Sequence, residues 1–235
     1  MSKLRLKISM SLDGFVAGPS QSIDAPLGIG GERLHEWAFK LSSFRDMHGR
    51  EGGEVNDSNA VVQESIAGIG ATLMGRNMFG GHPGPWDPVN PWNGWWGDNP
   101  PFHHPVFVLT QYAREPLALD GGTTFTFVTD GLASALEQAR RAASGKDVSL
   151  AGGASAARQC LVAGLVDEME INLVPTLLGA GERMLDGVDD LQGLKLERTV
   201  AMPAVTHLKF ARRTQPATCM AAIPTSRSPL EASGN

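Results

Sequence analysis

Residues 149–185 read SLAGGASAARQCLVAGLVDEMEINLVPTLLGAGERML, and this stretch decides the fold. Val148 to Ala151 is an apolar run of strand length that stops at the pair Gly152-Gly153. Ala157, Cys160 and Leu161 then recur on one helical face as far as Gly164. Beyond them Glu168, Glu170 and Asn172 alternate with Met169, Ile171 and Leu173, the period of a strand, and Pro175 closes the run. The succession is strand, paired glycines, helix, strand. At such a junction the free N–H groups of the helix start and the helix dipole converge, and a missing side chain lets an anion approach. Paired glycines also make a plain tight turn, so the junction alone leaves both readings open.

Working outward, Leu4, Leu6, Ile8 and Met10 alternate with Lys3, Arg5, Lys7 and Ser9, which reads as a half-buried strand. It ends at Ser11-Leu12-Asp13-Gly14, a turn signal, followed by a Gly-, Pro- and Ser-rich loop to about Gly31. Glu32 to Arg45 has helical character. Asp57 is read as the N-cap of a helix that carries Val61, Val62, Ile66 and Ile69 and stops at Gly70. Ala71 to Met74 is a short buried strand that runs directly into Gly75-Arg76-Asn77-Met78-Phe79, a second strand-to-helix junction with glycine. Val106 to Leu109 and Thr124 to Val128 are further strands, Leu132 to Ala143 a helix, and Lys195–Ala201 with Thr206–Arg212 a closing hairpin. Helices interleaved with strands and an antiparallel ending predict an α/β fold, a single-domain mixed sheet with helices on both faces over residues 1–213. Residues 214–235 lose all periodicity and are expected to form a disordered tail.

Of the 235 residues, 28 are glycine, well above the usual ~7%. An apolar fraction of 42% still provides a core, so the glycines mark turns and close approaches rather than disorder. The net charge of −5, with no basic run longer than two residues, argues against nucleic acid or an anionic membrane as partner. No signal-peptide core or spanning segment is read, and the two cysteines, Cys160 and Cys219, offer no disulfide framework, so a cytoplasmic protein acting on small molecules is expected. Residues 80–105 hold seven of the 15 prolines and four of the five tryptophans, Trp86, Trp92, Trp95 and Trp96, and fit no regular element. They could wall a planar ligand, make a dimer contact, or stiffen a long loop as a satellite cluster. His82, Asp98, His103 and His104 share this zone without a ligand spacing, so no metal site is expected.

Two glycine junctions in one sheet, one with an arginine at the helix start, point to a phosphorylated ligand, although neither GxGxxG nor a P-loop pattern occurs. With the Ser-Leu-Asp-Gly strand end, the LMGRNMF junction, the VFVLT strand and the segment from Val148 to Leu185, the chain resembles the dihydrofolate reductase-like superfamily over residues 3–213. Within it the resemblance is to the branch that includes the reductase domain of riboflavin biosynthesis. That resemblance implies an eight-stranded mixed sheet, NADPH bound in its edge crevice, and hydride transfer to a small heterocyclic or sugar-derived substrate by a homodimer. Carried over by position, it implies Gly152, Gly153, Ala154 and Ser155 around the pyrophosphate. It implies Gly75, Arg76 and Asn77 at the adenosine end, with Arg76 on the 2′-phosphate, and Leu109 and Thr110 flanking adenine. Ser9, Val16 and Ala17 fall at the nicotinamide.

Dihydrofolate reductases carry an acid on the helix before the glycine-arginine junction, and counting back from Gly75 reaches Asn59, which cannot donate a proton as an acid. Asp57 and Asp13 are the candidate catalytic carboxylates, each with a structural alternative as a cap or a turn residue. Glu64 reads as a solvated side chain. Folate reduction is disfavoured, and a pyrimidine-type reductase lacks here an attached deaminase signature and obvious basic groups for a ribityl phosphate. The alternative function is a non-catalytic nucleotide-binding or assembly module of the same fold.

Overall fold

In the computed structural model, which describes residues 2–212, six parallel strands form the centre of the molecule. The expected tail at 214–235 and Cys219 lie outside the described residues. In chain order the elements are β1 (Leu4–Ser11), β2 (Phe15–Ala17), α1 (Glu36–Phe39), α2 (Ser42–Met47), α3 (Asp57–Ile66), β3 (Ile69–Gly75), α4 (Arg76–Phe79), β4 (Pro105–Leu109), β5 (Leu117–Ala118) and β6 (Thr124–Val128). There follow α5 (Leu132–Ala142), β7 (Asp147–Gly152), α6 (Ala154–Val162), β8 (Glu168–Val174), β9 (Glu182–Arg183), β10 (Leu194–Met202) and β11 (Val205–Arg212). The main sheet runs β10-β11-β8-β1-β7-β3-β4-β6-β5, and β2 pairs separately with β9. The main sheet thus has nine strands where eight were expected; the two-residue edge strand β5, antiparallel to β6, is too short for a periodic signal.

The chain steps outward from β1 to β3, β4 and β6, then returns through α5 to β7 and through α6 to β8. β3 and β7 are therefore neighbours whose chains leave in opposite directions, the arrangement that opens a ligand crevice at the strand ends of α/β sheets. Gly75 and Gly152 sit at this divide. A Cβ on Gly75 would stand 3.1 Å from the Ala156 Cβ, so α6 packs as close to β3 as it does because residue 75 has no side chain.

Alternation along each strand sends neighbours to opposite faces. On one face Leu4, Leu6, Leu73 and Leu150 pack on Ala135, Leu136 and Ala139 of α5 and Ala157 and Leu161 of α6, the main core. The other face is divided. Over β3, β4 and β6, Met74, Val108 and Phe125 are covered by Phe79 and by the partly buried Trp86, Trp92, Trp96 and Phe102, so the Trp-rich segment packs its aromatic rings on this half of the sheet. Trp92 donates its Nε1 proton to Phe79 O at 2.9 Å and Trp86 to Tyr112 O at 2.9 Å, which satisfies both indoles. Over β1, β8 and β11 the covering element is α3, and the contact is polar. Arg5 donates to the carbonyls of Glu64 and Ala67, Lys7 to Ser65 Oγ at 2.8 Å, and Glu64 bridges Lys209 at 2.6 Å and Arg198 at 2.7 Å. Glu64 is thus a partly exposed side chain that also anchors α3 through two ion pairs.

Three local readings change. Asn56 caps α3, its Oδ1 accepting the Asn59 N–H at 3.0 Å, and Asp57 is the first helical residue. The turn after α3 is made by Gly68 at φ +72°; Gly70 lies within β3, where a Cβ would meet Ala143 O at 2.5 Å. The helical stretch expected over Glu32–Arg45 is broken at Leu41, whose backbone is extended, into a 3-10 turn and the short helices α1 and α2.

Candidate active site

A cavity of about 970 Å³ crosses the C-terminal ends of the parallel strands, near the upper limit of the ~300–1,000 Å³ usual for ligand sites. All the residues carried over from the resemblance line it: Ser9, Val16 and Ala17; Gly75, Arg76 and Asn77; Leu109 and Thr110; Gly152, Gly153, Ala154 and Ser155. Strand order sets their sequence in space. Leu109 and Thr110 end β4, Gly75 ends β3, Gly152 ends β7 and Ser9 lies on β1, so the predicted adenine-to-nicotinamide path follows adjacent strands.

At β7 the cavity meets a bare helix start. Gly152 has φ +109°, and a Cβ there would meet nothing within 4 Å, so both the conformation and the open space belong to glycine. The Gly152–Gly153 peptide is cis. Gly153 caps α6 without a side-chain bond, and no acidic residue stands in the first turn. The N–H groups of Ala154, Ser155 and Ala156 precede the first intrahelical bond, from Ala157 N to Gly153 O. They face a cavity that all three residues line.

At β3 the Arg76 guanidinium lies 3.8 Å from the Trp86 ring centroid and donates from Nη2 to His82 O at 3.0 Å. Its Nε is buried and has no partner among the described residues, a donor prepared for an acceptor the protein does not provide. Burial, with Arg114 nearby, pushes its pKa down from the ordinary arginine value. Trp95 and Trp96 line the same end. The Trp-rich segment therefore both covers the sheet and walls the cavity.

Past β1 the cavity enters a compartment floored by β1 and β8 and walled by α1, α2 and α3. Lys7 lines it from β1 with its Nζ bonded to Ser65 Oγ at 2.8 Å; burial lowers its pKa to about 8, against the opposing pull of the Glu170 carboxylate. Burial in turn raises the pKa of Glu170. His35 lines the wall and is held at about 4 by burial and then by the Lys7 charge. Asn172 of β8 is buried, and its Oδ1 lies 2.7 Å from His207 Nδ1, while His207 Nε2 lies 2.8 Å from Ser58 Oγ. Burial, reinforced by Lys7 and Arg198, brings the His207 pKa down to about 4, so the ring is neutral at neutral pH. A neutral ring that donates to Asn172 from Nδ1 must accept at Nε2 from the Ser58 hydroxyl.

The two candidate carboxylates are elsewhere. Asp57 is exposed at the start of α3 and does not line the cavity. Asp13 accepts the Gly179 N–H at 2.7 Å and the Leu178 N–H at 3.1 Å; a hydrogen bond from Ser11, followed by these backbone donors, holds its pKa at about 2. It ties the end of β1 to the loop after β8 and has no proton to give at neutral pH. Sequence reasoning passed over Lys7, His35, Asn172 and His207. His103 bonds Gly121 O through Nδ1 and His104 bonds Thr72 Oγ1 through Nε2, and no cluster of three metal-ligating side chains occurs among the described residues.

The profile of the family described as RibD C-terminal domain matches residues 2–209. The chain belongs to that family. A RibD C-terminal domain has the dihydrofolate reductase-like fold, and the reductase assignment read from the sequence stands with it. No curated protein matches. Among solved structures the chain is similar to a Shewanella sp. PV-4 protein assigned by name to riboflavin biosynthesis, at 19% identity and TM-score 0.56, covering 90% of this chain and 99% of that one. It is also similar to RibD of Acinetobacter baumannii, at 22% identity and TM-score 0.53, covering 90% and 58%. A third is a diaminohydroxyphosphoribosylaminopyrimidine deaminase/5-amino-6-(5-phosphoribosylamino)uracil reductase of Thermotoga maritima, at 13% identity and TM-score 0.51, covering 90% and 56%. This RibD C-terminal domain spans little more than half the length of the last two. No helix among the described residues is long and apolar enough to cross a membrane.

Proposed function

We propose that this RibD C-terminal domain is an NADPH-dependent oxidoreductase that reduces a small heterocyclic or sugar-derived substrate. The observation that carries the reading is the meeting, in one cavity, of the bare α6 start with the unpartnered Arg76 donor. The first suits a pyrophosphate, because backbone N–H groups and the helix dipole favour an anion and Gly152 leaves it room. The second suits a 2′-phosphate, because a planar guanidinium presents several donors to one anion. Bound NADPH supplies a hydride, two electrons and one hydrogen nucleus, to an electrophilic carbon of the substrate.

The protein's part is to orient and to manage the proton. Ser9, Val16 and Ala17 line the cavity between the two glycine junctions and the Lys7 compartment, so the substrate side lies beyond β1. Lys7 is the residue placed to donate a proton to the heteroatom that becomes basic when hydride arrives, since a pKa of about 8 leaves it charged at neutral pH yet able to give the proton up. The hydrogen bonds and ion pairs behind it hold α3 against β1 and β11. The family resemblance also implies a cytoplasmic homodimer, which cell fractionation and light scattering test.

The experiment is a thermal melt with added NADPH. A ligand at 100 times its Kd stabilises the fold by ~2.7 kcal/mol, and in a chain of this size each kcal/mol moves Tm by ~2–4 °C. A rise of ~5–10 °C is expected; an unchanged Tm at millimolar NADPH removes the proposal.

A further inference from the structure

The compartment beyond β1 differs in chemistry from the cofactor half. Its walls are Trp37, Phe44, Met47, Val62 and Leu27. Trp37 spends its one donor on Leu34 O at 3.0 Å and stands edge-on to the His207 ring, centroids 5.1 Å apart, so it presents only carbon to the cavity. The ionisable groups of the compartment are Lys7 and His35, and no arginine lines it among the described residues. Nearby cations are already engaged: Arg198 and Lys209 on Glu64, Arg45 on the carbonyls of Glu51 and Gly52, Arg33 on the Gly30 carbonyl. The one long helix here, α3, has its start capped by Asn56 and lines the compartment only with Val62, from its middle, while α1, which starts after His35, has a single turn. A phosphate needs several charge-assisted donors to offset its lost hydration, and one lysine against an apolar wall does not provide them.

What the compartment does present is a hydrogen-bond donor. With the neutral His207 ring donating from Nδ1, Asn172 Oδ1 is occupied and the ring's Nε2 takes the Ser58 hydroxyl, which leaves the Asn172 Nδ2 for the cavity. Its Nδ2 has no hydrogen-bond partner among the described residues, and Asn172 lines the cavity. Lys7, whose ammonium gives one of its three protons to Ser65 Oγ, lines the same apolar slot and is the second donor. Resting on the reductase reading above, we infer that the substrate is an uncharged, phosphate-free ring compound whose carbonyl oxygen is held by the Asn172 amide and the Lys7 ammonium against the aromatic wall of Trp37 and Phe44.

The test uses matched probes differing by one phosphate, riboflavin against FMN and uridine against uridine 5′-monophosphate, with quinolin-2-one as a ring carbonyl lacking a sugar. Each is titrated calorimetrically into the protein with and without saturating NADPH. The phosphate-free member of at least one pair, or quinolin-2-one, is expected to bind, with at least tenfold weaker binding of the phosphorylated partner. Asn172→Asp, which keeps the shape and the bond to His207 but replaces the donor with an acceptor, is expected to lose tenfold for the same probe and leave NADPH affinity within twofold. Equal or tighter binding of the phosphorylated member, silence of every probe, or an Asn172→Asp protein of unchanged melting behaviour and unchanged probe affinity overturns the inference. If NADPH does not bind while the probes keep this order without it, the reductase reading fails and the substrate-class inference stands.

Discussion

Removing the Arg76 side chain separates the two nicotinamide cofactors. In the structure its guanidinium stacks 3.8 Å above Trp86, bonds His82 O from Nη2, and leaves a buried Nε without a protein partner. A charge-assisted hydrogen bond contributes ~1.5–3 kcal/mol, and tenfold in Kd is ~1.4 kcal/mol, so Arg76→Ala should weaken NADPH by ~10- to 100-fold. NADH has no 2′-phosphate and should change by less than ~2-fold, well below one such bond. The variant also loses a stacked cation, worth ~0.5–1 kcal/mol at an exposed aromatic, so a Tm drop of a few degrees accompanies the binding defect without explaining its selectivity. Arg76→Lys keeps the charge and loses the planar fork, and its NADPH affinity should fall between the two. Calorimetric titration of all three proteins with both cofactors is the assay, and higher salt should narrow the gap between wild type and Arg76→Ala. Equal losses for NADPH and NADH would refute the assignment of Arg76 to the 2′-phosphate.

Gly152→Ala should cost ~1–3 kcal/mol in a melt because φ +109° is closed to a side chain, and should weaken both cofactors alike because the new Cβ enters the cavity. For any substrate turned over, kcat/KM should fall as pH rises through about 8, where Lys7 loses its proton, and Lys7→Met should abolish this limb along with most of the rate. His35 and His207 are both held near 4 while their unfolded forms titrate near 6.5. Between those values the unfolded chain binds more protons, so stability should fall as pH drops from about 6.5 to about 4. Melts of a His35→Gln, His207→Gln double variant should show a shallower slope over that window.

The half of the cavity at the two glycine junctions was legible because its signal is local. Gly152-Gly153 and Gly75-Arg76 each announce a strand running into a helix, and the parallel order that joins the two junctions follows from the alternation of elements. The Lys7 compartment was not, because its residues come from distant strands and read as a solvated face. Lys3, Arg5, Lys7 and Ser9 alternate like the outward side of an edge strand, yet β1 is bordered by parallel strands on both sides and covered by α3. A central strand with polar residues on one side marks a polar-lined site, and that clue was present in the sequence once β1 is placed at the centre. The ion pairs of Glu64 were hidden for the same reason: its partners, Lys209 and Arg198, lie more than 130 positions away. Asp13 drew attention as a carboxylate before a glycine, but its bonds to Leu178 and Gly179 depend on a loop that only the folded sheet brings beside it.

A crystal structure of the protein grown with NADPH tests the central claim most directly. The pyrophosphate should lie on the N–H groups of residues 153–155, the 2′-phosphate on Arg76, and the nicotinamide ring beside Ser9 and Ala17 with its reactive edge toward Lys7. NADPH density away from the Gly152–Ser155 turn, or a nicotinamide ring facing away from the Lys7 compartment, would contradict the account.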